Sequence, residues 1–371
     1  MSAKTQTKSG GGRKTAEKPR ILYFDVMRAL APILVVTLHT VFRLADGTDF
    51  FGTRFRNSLA VHMICQVAVP LFVMISGALF LNPNRKFDLK THLRKYVLRL
   101  AIIYIVWSTI YAVLGLIVTG NTGHFFNELF GVHHYHLWFI IMLLMMYLLA
   151  PCLRKITESR ALTEYFLIIG IVFCFALPSL GDSFGLLRAQ HPGANALING
   201  ALYGAKDLFI YTAGKLGLKF VIYFVLGYYL HQYKIGLAWR RIVYILGALG
   251  LLYAFVYGLQ YARVFHMEGN GADMQNINIG ILAYSAAVYL FIKQRFSRAK
   301  KLPRSLTFMA KHSLGVYLIH AALVDFILYR IIEAESQPVW ILLLCSILIY
   351  LTSLVAAWAI SKLPILRKVV Q

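Results

Sequence analysis

The sequence predicts an all-α, polytopic transmembrane helical bundle of about ten spans, with both termini cytoplasmic. Three observations predict it. Of the 371 residues, 59% are hydrophobic and 14% charged, whereas a soluble domain carries about 25% charged residues, so most of the chain has no water-facing side. The apolar residues gather into ten stretches, near 21–44, 58–81, 96–118, 136–153, 163–180, 207–230, 242–260, 276–293, 307–329 and 338–361. Each is about long enough to cross ~30 Å of hydrocarbon as a helix. The segments between them are alternately rich and poor in Lys and Arg.

That alternation sets the orientation. Twenty-seven of the 38 Lys and Arg fall in the N-terminal tail, 82–99, 154–160, 234–241, 293–304 and the C-terminal segment, and nine lie toward the other side. Arg28 and Lys311 lie inside predicted spans. The richer face is cytoplasmic by the positive-inside rule. A net charge of +23 raises nucleic acid as a partner, but the basic residues form short topogenic clusters and no soluble domain is left to bind one.

Residues 1–20 are polar, basic and Gly-rich. They are expected to be disordered, since they have no apolar surface to bury. Residues 21–371 then form one ten-helix membrane domain. The first apolar stretch is too long for the core of a signal peptide and lacks a small-residue cleavage site. Cys65, Cys152, Cys174 and Cys345 all sit within or at the ends of apolar runs, which reads as small core residues, not a disulfide framework. The longer outward loops, 119–135, 181–206 and 261–275, have the length of functional lids.

Ionisable residues inside spans are costly and point to function. The first span, LYFDVMRALAPILVVTLHTVF, holds three. Asp25 and Arg28 share a face at i,i+3 and can pair. Arg28 and His39 are eleven residues apart, which is three turns with about 20° left over and roughly 16 Å of axial rise. They cannot touch, but they can line one cavity, with a kink expected at Pro32 between them. The structural reading of the same residues is an interfacial ion pair and a satisfied core histidine.

Other spans add candidates. Gln66 precedes Pro70, which frees the Gln66 carbonyl. Ser76 and Gly77 suit close helix packing. The fourth span opens HHYHLWF. His133, His134 and His136 do not have a zinc-ligand spacing, and no metal is expected; His136 and Trp138 can shape an acceptor pocket or, with Tyr135, an interfacial belt. Tyr317 and His320 share a face in the ninth span. Arg94, Lys95 and Arg99 run into the third span, where arginine suits phosphate recognition.

Five of these segments resemble a known family. DVMRALAPILVVTLH, with its Arg followed after ten residues by His, is similar to the opening motif of the acyltransferase-3 family of membrane O-acyltransferases. VPLFVMISGALFL, HLWFIIMLLMMYLLAP, FVIYFVLGYYL and SLGVYLIHAAL resemble its later motifs in order, over residues 21–325. Ala78 stands where an aromatic is common. HLWF and SLGVYLIH resemble the enterobacterial common antigen O-acetyltransferase branch in particular.

The resemblance implies a bacterial inner-membrane enzyme that moves an acyl group, usually acetyl from acetyl-CoA, to a hydroxyl of a cell-surface or lipid-linked glycan. It also implies that Arg28 and His39 are the essential pair. Some members carry an additional extracytoplasmic domain, and a chain without one would act alone or with a partner. On this reading Asp25, Arg28 and His39 are catalytic, Arg94, Lys95 and Arg99 hold the CoA phosphates, and Gln66, Ser76, His136, Trp138, Tyr317 and His320 line the acceptor site. Membrane lipids are the other partners, and the oligomeric state is left open. The competing class is a transporter or flippase for a lipid-linked sugar or small anionic solute, which would also need ten helices and embedded charge. Cysteines introduced in 181–206 are expected to react with an impermeant thiol reagent added outside, and those in 82–95 and 294–304 are not. The opposite labelling pattern would invert the topology.

Overall fold

The apolar stretches fold as helices because, in hydrocarbon, a helix satisfies every backbone group within one segment. A computed structural model describes residues 20–43, 51–120, 125, 136–190, 218–265, 278–325, 337–364 and 366–370. Among these residues the chain is all-α. The N-terminal tail to residue 19, most of the predicted outer loops, and His133 and His134 lie outside the described residues.

The helices, in chain order, are α1 (Leu22–Arg43), α2 (Thr53–Cys65), α3 (Ala68–Phe80), α4 (Leu89–Thr119), α5 (Trp138–Thr157), α6 (Arg160–Leu187), α7 (Leu218–Gln232), α8 (Leu237–Phe265), α9 (Ile279–Phe296), α10 (Arg304–Lys311), α11 (Ser313–Leu323), α12 (Val339–Ile360) and a last short turn, α13 (Arg367–Val370). Among the described residues, seven helical segments are long and apolar enough to cross a membrane: α1, α2 with α3, α4, α5, α6, α8 and α12. The other three predicted spans meet helices that fall short of that. The sixth is described only from residue 218, as the fifteen-residue α7. The eighth, α9, ends in the polar Lys293–Gln294–Arg295 turn. The ninth is divided at His312 into α10 and α11.

Local chemistry explains where the helices begin and break. Asp88, Ser159 and Asn278 cap α4, α6 and α9 by accepting the N–H of the residue three further on, as short polar side chains do at exposed N-termini. The hydrogen bonds from Thr91 hold the Asp88 carboxyl below its ordinary pKa. Gly120, at φ 67°, ends α4 in the left-handed region, where a residue without Cβ is favoured. Pro70 has no N–H for the Gln66 carbonyl, and the second span is interrupted there, between Cys65 and Ala68. Pro32, by contrast, sits inside a continuous α1. A π-turn interrupts each of α4 and α6, at Leu93–Val97 and Val172–Ala176.

The first helix is the hub. It packs against α2, α3, α9, α10, α11 and α12, and Met27, Ala29, Ala31 and Val36 on it are fully buried. Outward-facing apolar residues such as Ile105, Ile117, Ile168, Ile245, Leu348 and Val355 are 60% exposed or more, which suits a hydrocarbon surround. Close backbone contact ties α3 to α7: a Cβ on Gly77 would stand 1.7 Å from the Phe224 carbonyl oxygen, and one on Gly227 would stand 2.1 Å from the Met74 carbonyl oxygen. Small residues at such crossings let membrane helices approach.

Gly77→Ala and Gly227→Ala are therefore expected to force α3 and α7 apart and lower the melting temperature in detergent, by the ~1–3 kcal/mol typical of overpacking. Gly236→Ala, which meets nothing within 4 Å, serves as the control and should melt like the parent protein. Equal melting of all three would remove the packing role.

Candidate functional site

The two ends of α1 carry different chemistry. At the inner end Asp25 is buried, and Arg20 Nε lies 2.5 Å from its Oδ2. Arg28 Nη1 lies 3.7 Å from Oδ1, with 36% of the Arg28 side chain exposed. The expected Asp25–Arg28 pair is thus present, but the nearer cation is Arg20, which sequence reading placed in the tail. Beside them opens a cavity of about 530 Å³, lined by Arg20, Asp25, Arg28, Leu79, Arg85 and Lys311 among others. Four cations face one carboxylate, so the cavity carries net positive charge and suits an anion. Arg28 is turned toward this space and not fully consumed by Asp25, because a guanidinium has five N–H donors.

Arg85 reaches this cavity from the 81–88 connection, and Arg154 holds that connection in place. Arg154 Nη1 donates to the carbonyls of Phe80 at 2.9 Å and Asn82 at 2.6 Å, and Nη2 to Pro83 at 3.3 Å and Arg85 at 2.7 Å. Its guanidinium also lies 4.8 Å from the centre of the Phe87 ring. Thr157 Oγ1 donates to the Leu81 carbonyl at 2.7 Å. Sequence reading counted Arg154 as a topogenic charge, and Arg85 with it. One helical cation satisfying four carbonyls 69 to 74 residues away leaves no local pattern that could have disclosed it.

Tyr147 of α5 packs its ring against Phe80, with centroids 4.4 Å apart. Its hydroxyl is 3.5 Å from Ser76 Oγ, and His92 donates Nε2–H to its carbonyl at 2.8 Å. Ser76 therefore has a polar partner of its own, while its neighbour Gly77 makes the close packing. Ser76 lines neither of the cavities at the ends of α1.

The outer end of α1 gathers imidazoles and aromatics. The His39 ring stacks on His320, with centroids 5.4 Å apart and planes inclined by 27°. His136 meets His320 edge-on at 5.4 Å and Tyr111 at 4.9 Å. His320 donates Nδ1–H to the Tyr317 carbonyl at 2.7 Å. A carbonyl only accepts, so the Nε2 of a neutral His320 is its acceptor nitrogen. Tyr317 in turn donates its hydroxyl to the His136 carbonyl, fixing the start of α5 against α11. A small cavity of about 50 Å³ lies against His39, lined also by Gln66, Pro70, His136, Trp138 and Tyr317. Gln66 reaches it from the break between α2 and α3, with its amide nitrogen 2.7 Å from His62 Nε2.

The fold thus brings His39, Gln66, His136, Trp138 and Tyr317 to one cavity, with His320 stacked behind His39. Arg94, Lys95 and Arg99 are exposed on α4 and do not line the Arg28 cavity. Among the described residues, no group of three or more His, Cys, Asp or Glu is arranged to hold a metal ion; the three clustered imidazoles stack and abut without converging on a point.

An embedded cation and an embedded histidine on one helix face, each with its own cavity, agree with what comparison finds. No curated protein and no solved structure is significantly similar to the chain. A family model does match, that of the acyltransferase domain of the acyltransferase-3 type, over residues 21–361. The chain is an all-helical membrane protein that belongs to the acyltransferase-3 family.

Proposed function

We propose that this acyltransferase moves an acyl group, most simply acetyl, from acyl-CoA to a hydroxyl of a cell-surface or lipid-linked glycan, in the bacterial inner membrane with both termini cytoplasmic. The observation that carries the proposal is the separation of the two cavities. A cationic pocket at Arg28 and an imidazole pocket at His39 lie about 16 Å apart on one face of α1. CoA has that form: a highly anionic nucleotide end and a thioester at the tip of a long, thin arm. The donor nucleotide would sit among Arg20, Arg28, Arg85 and Lys311, with the arm following α1 past Tyr147 and Ser76 toward His39.

At that tip His39 acts as general base. Histidine, with an ordinary pKa near ~6.5, is largely neutral at pH 7 and able to take a proton. It removes the proton of the acceptor hydroxyl as the oxygen attacks the thioester carbonyl. The carbon–sulfur bond then breaks, and the thiolate leaves and receives the proton from the imidazolium. The stack on His320 and the wall formed by Tyr317 and His136 hold the base in place. Gln66 and Trp138, on the cavity wall, offer an amide and an aromatic face of the kind that orients a sugar. The enterobacterial common antigen branch, which the fourth and ninth segments resemble, motivates a glycan acceptor and an acetyl donor.

Purified protein in detergent, given acetyl-CoA and glycan fragments, is expected to form O-acetylated product without any membrane gradient. A requirement for a gradient would favour the transporter reading. His39→Ala should reduce turnover by at least the ~10²–10⁴-fold typical of a lost acid–base group while CoA still binds; full activity would end the assignment. Arg28→Lys should recover only part of the donor affinity lost in Arg28→Ala, since Lys lacks the planar fork. Recovery of full activity in Asp25→Asn combined with Arg28→Gln would show instead that Arg28 only neutralises Asp25.

The donor pocket makes a separate prediction. Arg85→Ala and Lys311→Ala should raise KM for acetyl-CoA with little change in kcat, as loss of uniform binding does, and by more than Arg94→Ala or Lys95→Ala. Arg154→Ala should raise it too. Because Arg154 acts by holding the segment that carries Arg85, the Arg85→Ala, Arg154→Ala double change should be no worse than the poorer single one. Additive losses would mean that the two arginines act independently.

A further inference from the structure

A second apolar cavity shares no lining residue with the two at the ends of α1 and takes no part in the reaction proposed above. It is a groove of about 910 Å³ between α6 and α8, floored by α7 and α9. Its walls are apolar. Ile168, Leu246 and Leu249 on its rims are each more than half exposed, so the groove is open along its side to the surrounding hydrocarbon. Small residues keep it empty of side chains: Gly250, Gly280, Ala283 and Ala286 all line it. Where Gly250 and Gly280 meet, a Cβ on either would stand 2.5 or 2.3 Å from the other's carbonyl oxygen. From Trp239 to Tyr253, both lining residues on α8, the groove runs about 21 Å along the helix. One leaflet supplies roughly 15 Å of a ~30 Å hydrocarbon core, so a whole acyl chain fits.

Only one end is polar. There Arg160, Glu164, Tyr229, Lys234 and Trp239 line the mouth. Glu164 is already satisfied, accepting from Arg160 Nε at 2.8 Å and from the Tyr229 hydroxyl at 2.7 Å. Arg160 remains 61% exposed at its side chain, its guanidinium 4.9 Å from the centre of the Tyr233 ring, and Lys234 is exposed. The mouth therefore carries one net positive charge. Trp239, at 67% exposure, is placed as an interfacial aromatic is, beside the headgroups. A chain-length apolar slot with a cationic, aromatic mouth at the interface matches one class of molecule, a lipid with an anionic headgroup.

We propose that this groove is a binding site for one anionic phospholipid, an acyl chain lying along α8 and the phosphate held by Arg160 and Lys234. The site is separate from the acyl-transfer cavities and depends on no feature of that reaction. Basic residues at a membrane surface favour anionic lipid by about 1 kcal/mol each, roughly a fivefold preference.

The test uses the intact protein, exchanged into nanodiscs of equal phosphatidylglycerol and phosphatidylcholine, then released into detergent and weighed by native mass spectrometry. One lipid is expected to stay bound through washing, with phosphatidylglycerol favoured roughly fivefold for the single net charge at the mouth. Lys234→Gln, which leaves the Arg160–Glu164 pair and no net charge at the mouth, should bring the two lipids close to parity. Ala286→Trp, which fills the slot, should release the retained lipid, and Ala283→Phe gives a second obstruction should the first variant fail to fold. Retention of the lipid in a folded groove-filling variant would overturn the proposal. So would equal retention of the two headgroups by the unaltered protein, which is what ordinary surrounding lipid gives.

Discussion

A carboxylate inside an apolar helix has to be neutralised where it stands, and the inner half of this protein is arranged around that requirement at Asp25. Taking such a charge out of water without a partner costs several kcal/mol even after relaxation. The ion pair with Arg20 at 2.5 Å meets most of it. Arg28, held at 3.7 Å, is then a cation close to Asp25 but directed into open space. Two arginines on one carboxylate leave net positive charge, and the approach of Arg85 and Lys311 to the same cavity increases it. A pocket so charged is costly unless an anion visits it, which is why the arrangement reads as a binding site more than as a stabilising pair.

From that point the rest of α1 follows. The helix that carries Arg28 near one end and His39 near the other does not lie at the periphery; it packs against six other helices. Pro70 contributes from the second span. By denying a partner to the Gln66 carbonyl it opens the helix at the level of His39, and the break delivers a side-chain amide to the outer cavity. Tyr317 and His320 each donate to a backbone carbonyl, so helix positions as well as ring contacts set the imidazole cluster.

The parts of this that were legible in the sequence share a property: they are local or periodic. The ten apolar stretches, the i,i+3 pairing of Asp25 and Arg28, the shared face of Arg28 and His39, and the effect of Pro70 all follow from helix geometry over a dozen residues. The choice of cations at the inner cavity was not legible. Arg94, Lys95 and Arg99 look favourable because they run into an apolar stretch, yet Arg20, Arg85 and Lys311 are the ones that fold places there. Arg85 depends on Arg154, and Lys311 on the division of the ninth span at His312. Those are contacts between segments tens to hundreds of residues apart, and no one-dimensional pattern records them.

The same distinction separates enzyme from carrier. A transporter needs one site that faces each side in turn, built where two halves of the molecule can rock against each other. Here the charged pocket and the imidazole pocket are fixed on a single helix, about 16 Å apart, and that helix is packed into the centre of the bundle. A solute bound at one end has no counterpart site to be handed to, since the other end differs in charge, size and chemistry. A molecule long enough to occupy both ends at once, anionic at one and reactive at the other, uses the arrangement without any part of α1 having to move. For the donor proposed above, that requirement of length, more than any single residue, is what the spacing of Arg28 and His39 would impose.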